Sequence, residues 1–114
     1  MPRLEAPKRG EIGWIDLNPT RGHEINKRRP VLVLSPQKYN AATGMIVVCP
    51  ITSTGRGTPL EVVLEAKMKT TGFISVPHVR SLDWQARRFT IIEEASTGVI
   101  EAVQDIMAAI LLEA

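Results

Sequence analysis

The stretch Asn18-Pro19-Thr20-Arg21-Gly22-His23-Glu24-Ile25-Asn26-Lys27-Arg28-Arg29-Pro30-Val31-Leu32-Val33-Leu34-Ser35-Pro36 changes character at Pro30. Before it runs a polar loop with a histidine, a carboxylate and three consecutive cations. After it comes an apolar run closed by Ser-Pro, which reads as a buried strand over Val31–Leu34. The proline fixes the backbone next to Arg29, so this cation is pinned at the edge of a rigid sheet, where a phosphate-handling group is held still. Side chains alternate along extended backbone. Arg28 and Arg29 therefore cannot both face one site if the strand begins there.

Outward from this segment, residues 10–92 read as short strands separated by turns. Beside Val31–Leu34 the expected strands are Glu11–Leu17, Met45–Ile51, Leu60–Leu64, Phe73–Val76, Val79–Leu82 and Arg88–Ile92, each apolar or β-branched and bounded by Gly, Pro, Asn, Thr or charge. Pro36–Ala42 is expected to form one helical turn. Many short strands in so small a domain imply a compact barrel or two packed sheets. The period then changes: Val99, Ile100, Val103, Ile106, Met107, Ile110 and Leu111 fall on one face of a helix, with Ser96 as its N-cap. The expected layout is a tail over residues 1–9, a barrel over 10–95 and a C-terminal helix over 96–112.

A chain of 114 residues is one domain and buries about 60–70% of its unfolded surface, so dimerisation would help it. No apolar run approaches the roughly 18 residues of a membrane span, and the N-terminus lacks the apolar core of a secretory signal. A cytoplasmic location is expected. Cys49 is the only cysteine; it sits in an apolar run and reads as a small buried hydrophobe. Charge is uneven: residues 1–57 hold nine Lys/Arg against four Asp/Glu, and residues 58–114 hold five against eight. A basic half of this kind suits a polyanion or an acidic protein partner. The two histidines and one cysteine show no metal-ligand spacing, and no phosphate-cradling Gly-rich motif is present. Neither a metal nor a cofactor is expected.

The opening stretch, with Gly10-Glu11-Ile12-Gly13-Trp14-Ile15-Asp16-Leu17 before it, closely resembles the MazF/PemK family of toxin endoribonucleases from bacterial toxin–antitoxin systems. The resemblance continues in order through Tyr39-Asn40, Val48-Cys49-Pro50-Ile51-Thr52-Ser53, Gly72-Phe73-Ile74 and Val79-Arg80-Ser81-Leu82-Asp83-Trp84-Gln85-Ala86-Arg87. It implies an SH3-like, CcdB/PemK-type small barrel, mainly β with a C-terminal α-helix. It further implies a homodimer, a single-stranded RNA substrate and a disordered acidic antitoxin that wraps the basic groove. The family's catalytic arginine directly precedes the proline and maps onto Arg29; its catalytic threonine or serine maps onto Thr52. An arginine and aspartate of the PemK branch align with Ser75 and Pro77, which cannot ionise, and a position usually held by glutamine is His78.

Metal-free RNA cleavage needs a base for the ribose 2′-hydroxyl, a cation against the phosphorane and an acid for the departing 5′-oxygen. Arg29 suits the cation because a guanidinium makes two parallel bonds to phosphate oxygens. Thr52, at a strand end, donates without adding charge. Glu24, beside cations, suits a base, with His23 the second candidate for proton transfer. Lys27, Arg28, Ser53, Arg56, His78 and Arg80 are expected to contact RNA. The loop Thr52–Pro59, with Arg56 between two glycines, is expected to be mobile enough to close over it. Trp14 and Trp84 are expected in the core, leaving few rings for base stacking. Two other readings compete: a gyrase-poisoning toxin of the same fold, which needs no acid–base group, and a catalytically silent member that only binds antitoxin, which Ser75 and Pro77 favour.

Overall fold

The computed structural model of the chain describes residues 5–19, 21–25 and 27–113. The elements are β1 (Glu11–Asp16), β2 (Arg28–Val33), α1 (Gln37–Thr43), β3 (Met45–Thr52), β4 (Glu61–Val63), β5 (Phe73–Ser75), a single 3₁₀ turn (Val76–His78), β6 (Arg80–Asp83), β7 (Thr90–Glu94) and α2 (Thr97–Leu112). All seven expected strands form, along with both helical segments. The main shift is at β2, which begins three residues earlier than expected because Arg28, Arg29 and Pro30 pair with Asp16, Ile15 and Trp14 of β1.

The antiparallel sheet runs β4-β5-β3-β2-β1-β7, and β6 pairs with β3. β3 is the strand shared by two partners along one edge: Met45–Val48 pair with β6, and Ile51 and Thr52 pair with β5. The expected barrel is thus an open sheet, since β4 and β7 end the ladder without joining each other. The helix α2 packs on β4 and on the 3₁₀ turn.

Alternation along β2 buries both faces of the sheet. Val31 and Val33 enter one core with Ile15, Leu17, Ile46, Val48, Leu82, Trp84 and Phe89. Leu32 enters the other with Ile12, Cys49, Ile51, Ile74, Val99 and Val103. Strands covered on both faces read as continuous apolar runs, which is how Val31–Leu34 reads. The buried Leu32 side chain alone contributes on the order of 2 kcal/mol by removal from water.

Ser96 caps α2 as expected, its Oγ accepting from Val99 N at 3.2 Å. The first half of the apolar stripe is buried and its last turn is not: Leu111 is 71% exposed. Trp84 is buried and donates its Nε1 to Asn40 O at 3.2 Å. Trp14 departs from expectation; its face of β1 is covered by α2 at Ile12, but Trp14 itself remains 41% exposed. Of the expected tail, residues 1–4 lie outside the described residues, whereas Ala6 and Pro7 are buried. Their carbonyls accept from Gln37 Nε2 and Asn40 Nδ2 at 3.0 and 2.9 Å.

Candidate active site

The two residues expected at the centre of the chemistry sit on neighbouring strands. Val31 of β2 lies opposite Pro50 of β3; two residues further out along both strands the chain reaches Arg29 and Thr52. Arg29 is half-buried, faces Ile15 across the β1 ladder and engages neighbouring groups. Arg28 is exposed on the opposite face, as strand alternation requires.

Thr52 pairs with Phe73 of β5 on its other side. A Cβ on Gly72 would collide with the Thr52 carbonyl, so the β5 backbone reaches Thr52 only because residue 72 is glycine, at φ 124°. The Thr52 hydroxyl accepts from Thr54 N at 3.3 Å, which leaves its own hydrogen available to an incoming acceptor. Beyond it the loop is tethered. The Glu61 carboxylate accepts from Arg56 N at 2.9 and 3.0 Å and from Thr58 N at 3.4 Å, and Gly55 lies flat against the Phe73 ring, where a Cβ would come within 2.9 Å. Ser53 and Arg56 are exposed on this loop.

The β1–β2 loop is fixed from beneath. Arg80 Nη1 donates to Leu17 O at 3.0 Å, and Arg87 Nη1 donates to Asp16 O at 2.9 Å and Asn18 O at 2.7 Å. His78 Nε2 lies 2.9 Å from His23 O, and its Nδ1 lies 2.7 Å from Ser75 Oγ. A carbonyl only accepts, so Nε2 carries the hydrogen; in the neutral ring Nδ1 then accepts from the buried Ser75 hydroxyl. Glu24 Oε1 accepts from Arg21 N at 2.5 Å and closes the loop's own turn. Thr20 and Asn26 of the opening stretch lie outside the described residues.

A cavity of about 120 Å³ opens between this loop and the sheet, lined by Glu24, Ile25, Pro50, Pro77, His78, Val79 and Arg80. Three residues singled out from the sequence, Glu24, His78 and Arg80, meet there. For His23, the contact with this region is made by its carbonyl, while the residue itself is exposed. Lys27 and Arg28 turn to the other side of the loop, and Arg56 sits on the β3–β4 loop. Arg80 and His78 thus have a framing role that the sequence did not reveal. Burial pushes the Cys49 thiol up to about 12, so it stays protonated and is no nucleophile. Among the described residues no three His, Cys, Asp or Glu side chains gather as metal ligands.

Sequence reading missed Glu61, Arg87 and Gly72 as site-forming residues. The Arg87-Arg88 pair was visible, but its partners are backbone carbonyls, which leave no mark in a sequence. Glu61 was equally visible, as a lone carboxylate after a Gly-rich loop.

An arginine and a hydroxyl at the ends of adjacent strands, and a carboxylate, an imidazole and a second arginine lining a cavity between the β1–β2 loop and the sheet, are groups of the kind that can act on a phosphodiester, carried on a small open-sheet protein. Residues 8–111 match the family described as PemK-like, MazF-like toxin of type II toxin–antitoxin system, and the chain belongs to it. It is 40% identical over 85 residues to the endoribonuclease toxin MazF of Escherichia coli K12, covering 75% of this chain and 76% of that one. The fold is similar to that of crystalline MazF from Deinococcus radiodurans, with a TM-score of 0.90 and 40% identity over 93% of this chain and 96% of that one. A MazE-MazF crystal structure from the same organism is similar at a TM-score of 0.85 and 39% identity, covering 96% of this chain and 98% of that one.

Proposed function

We propose that this protein is a sequence-specific endoribonuclease that cuts single-stranded RNA without a metal and acts as the toxin of a toxin–antitoxin pair. The observation that supports the reading is that Arg29 and Thr52 stand at the ends of neighbouring strands, each two residues from the Val31–Pro50 pair, and that Pro50 also lines the cavity shared by Glu24 and His78. The ribose 2′-oxygen attacks the adjacent phosphorus, and the bond from phosphorus to the 5′-oxygen breaks. A base takes the 2′-hydroxyl proton and an acid protonates the leaving oxygen, giving a 2′,3′-cyclic phosphate and a 5′-hydroxyl. Arg29 carries the phosphorane charge, and Thr52 donates to a phosphate oxygen. Glu24, held by the Arg21 amide, is the base; the exposed His23 ring is the acid. Lys27, Arg28, Ser53, Arg56, His78 and Arg80 form the surrounding RNA-contacting set.

The MazE-MazF likeness supports a cognate antitoxin as partner. A homodimer is supported by exposed apolar side chains on the packed elements α2 and β4, among them Val63, Ile110, Leu111 and Leu112. No helix among the described residues is long and apolar enough to cross a membrane, and the cytoplasm is the proposed compartment. A gyrase-poisoning role needs no acid–base group and has no comparable support.

The test is cleavage of a mixed-sequence RNA in EDTA, repeated with deoxyribose at the scissile position. Cutting should persist in EDTA and stop at the deoxy site. Arg29→Ala should fold normally and lose about 2.7–4 kcal/mol of transition-state stabilisation, a rate loss of roughly 10²–10³. A magnesium requirement, cleavage at the deoxy position or near-normal turnover by Arg29→Ala would each overturn the mechanism. Antitoxin binding with no cleavage at all would mark a silent family member.

A further inference from the structure

On the other side of the β1–β2 loop lies a second hollow, of about 740 Å³ and open to solvent, bordered by Lys27, Arg28, Arg87, Arg88, Asp16 and Asn18. Arg87 is already committed to the carbonyls of Asp16 and Asn18. Lys27, Arg28 and Arg88 are exposed, and none of their side chains is held in a hydrogen bond or ion pair with another described residue. The one carboxylate there, Asp16, accepts from Asn18 N at 2.9 Å through Oδ1. Lys27 and Arg88 are also the two non-glycine residues at positive φ among those described, at 71° and 54°. That region is sparsely populated by long side chains, and such residues cluster where ligands are held.

We propose that this hollow is a phosphate subsite of the RNA track, holding a phosphodiester that flanks the scissile one; the inference rests on the endoribonuclease reading. Arg28 and Arg29 are adjacent in β2 and leave it on opposite faces, so a strand of RNA passing the end of β2 meets the hollow next to the scissile cation. The lining contains no aromatic ring on which a base could stack, and Ala86 is its one apolar residue, which gives an acidic peptide no hydrophobic anchor. What remains is cationic recognition of phosphate, which carries no sequence information.

Arg88→Gly removes the guanidinium and suits the local backbone; Arg88→Lys keeps the charge. Their binding to RNA bearing deoxyribose at the scissile position is measured over a salt series, with melting curves to confirm folding. Arg88→Gly should weaken binding to unrelated sequences alike and reduce the slope of log affinity against log salt by about 0.7, the value for one phosphate contact on a single strand. Arg88→Lys should restore the slope. Wild-type binding together with an unchanged slope in Arg88→Gly overturns the subsite alone. A loss confined to binding of a poly-glutamate peptide overturns it in favour of a peptide site. A wild-type protein that binds no RNA overturns the endoribonuclease reading and the subsite together.

Discussion

The β1–β2 loop, residues 17–27, and the β3–β4 loop, residues 53–60, flank the same sheet end but are anchored to the rest of the fold by different kinds of side chain. The first is held by guanidinium groups and an imidazole against backbone carbonyls: Arg80 to Leu17, Arg87 to Asp16 and Asn18, His78 to His23. The second is held by one carboxylate, Glu61, against the amides of Arg56 and Thr58. The β4–β5 turn resembles the second, with Glu93 accepting from Lys69 N at 3.1 Å and Thr70 N at 2.6 Å. A guanidinium stays charged at any pH a protein survives, whereas a carboxylate is neutralised by acid. The anchors that join the loop proposed to carry the acid–base groups to the rest of the fold therefore include two guanidinium groups, whereas the side chains that hold its neighbours are carboxylates.

The largest effect on this contrast should come from Arg87→Ala, which removes two charge-assisted bonds from the base of the β1–β2 loop. The expected cost is about 1–3 kcal/mol, with faster tryptic cutting after Arg21 and Lys27. Melting and proteolysis curves that overlay the wild type would show that Arg80 and His78 suffice. A smaller effect should follow Glu61→Gln, because the amide oxygen still accepts and only the charge assistance is lost, about 0.5–1 kcal/mol. Tryptic cutting after Arg56 should rise several-fold while cutting after Arg21 does not. An unchanged rate at Arg56 would assign the loop's order to Gly55 against Phe73 instead.

The smallest effect should appear only in acid. Burial alone would raise the Glu93 carboxyl, but hydrogen bonding from Thr70 and Lys69, with the Lys69 charge beside it, holds it below its ordinary value. A folded-state value below the unfolded one gives stability that is present above about pH 4.3, the unfolded carboxylate value, and lost as pH falls through the folded value. Glu93→Gln should therefore flatten the acid side of a melting-temperature profile. Parallel profiles for the two proteins between pH 7 and 3 would remove Glu93 from the acid response.

The seven strand segments, the C-terminal helix and its Ser96 cap were legible in the sequence because each depends on local periodicity or a local hydrogen bond, whereas the order of the strands in the sheet was not. So was the divergence of Arg28 and Arg29, which follows from strand alternation once the strand's start is known. That start was misplaced by three residues, since Pro30 and two arginines look like loop until β1 is present to pair with them. Trp14 was misassigned for a related reason: its apolar ring says that burial is favourable, not that α2 extends far enough to provide it.

By itself the sequence determined which backbone segments extend or coil, which faces are apolar, and that an arginine lies at a strand edge. Only the tertiary structure decided that Glu24, His78 and Arg80 share a cavity and that Lys27 and Arg28 leave for another. It alone assigned Arg80, Arg87 and Glu61 to holding loops. Those outcomes depend on carbonyls and amides brought close from residues up to 71 positions apart. Every residue but proline has the same backbone donor and acceptor, so their use as partners is set by where the fold places them.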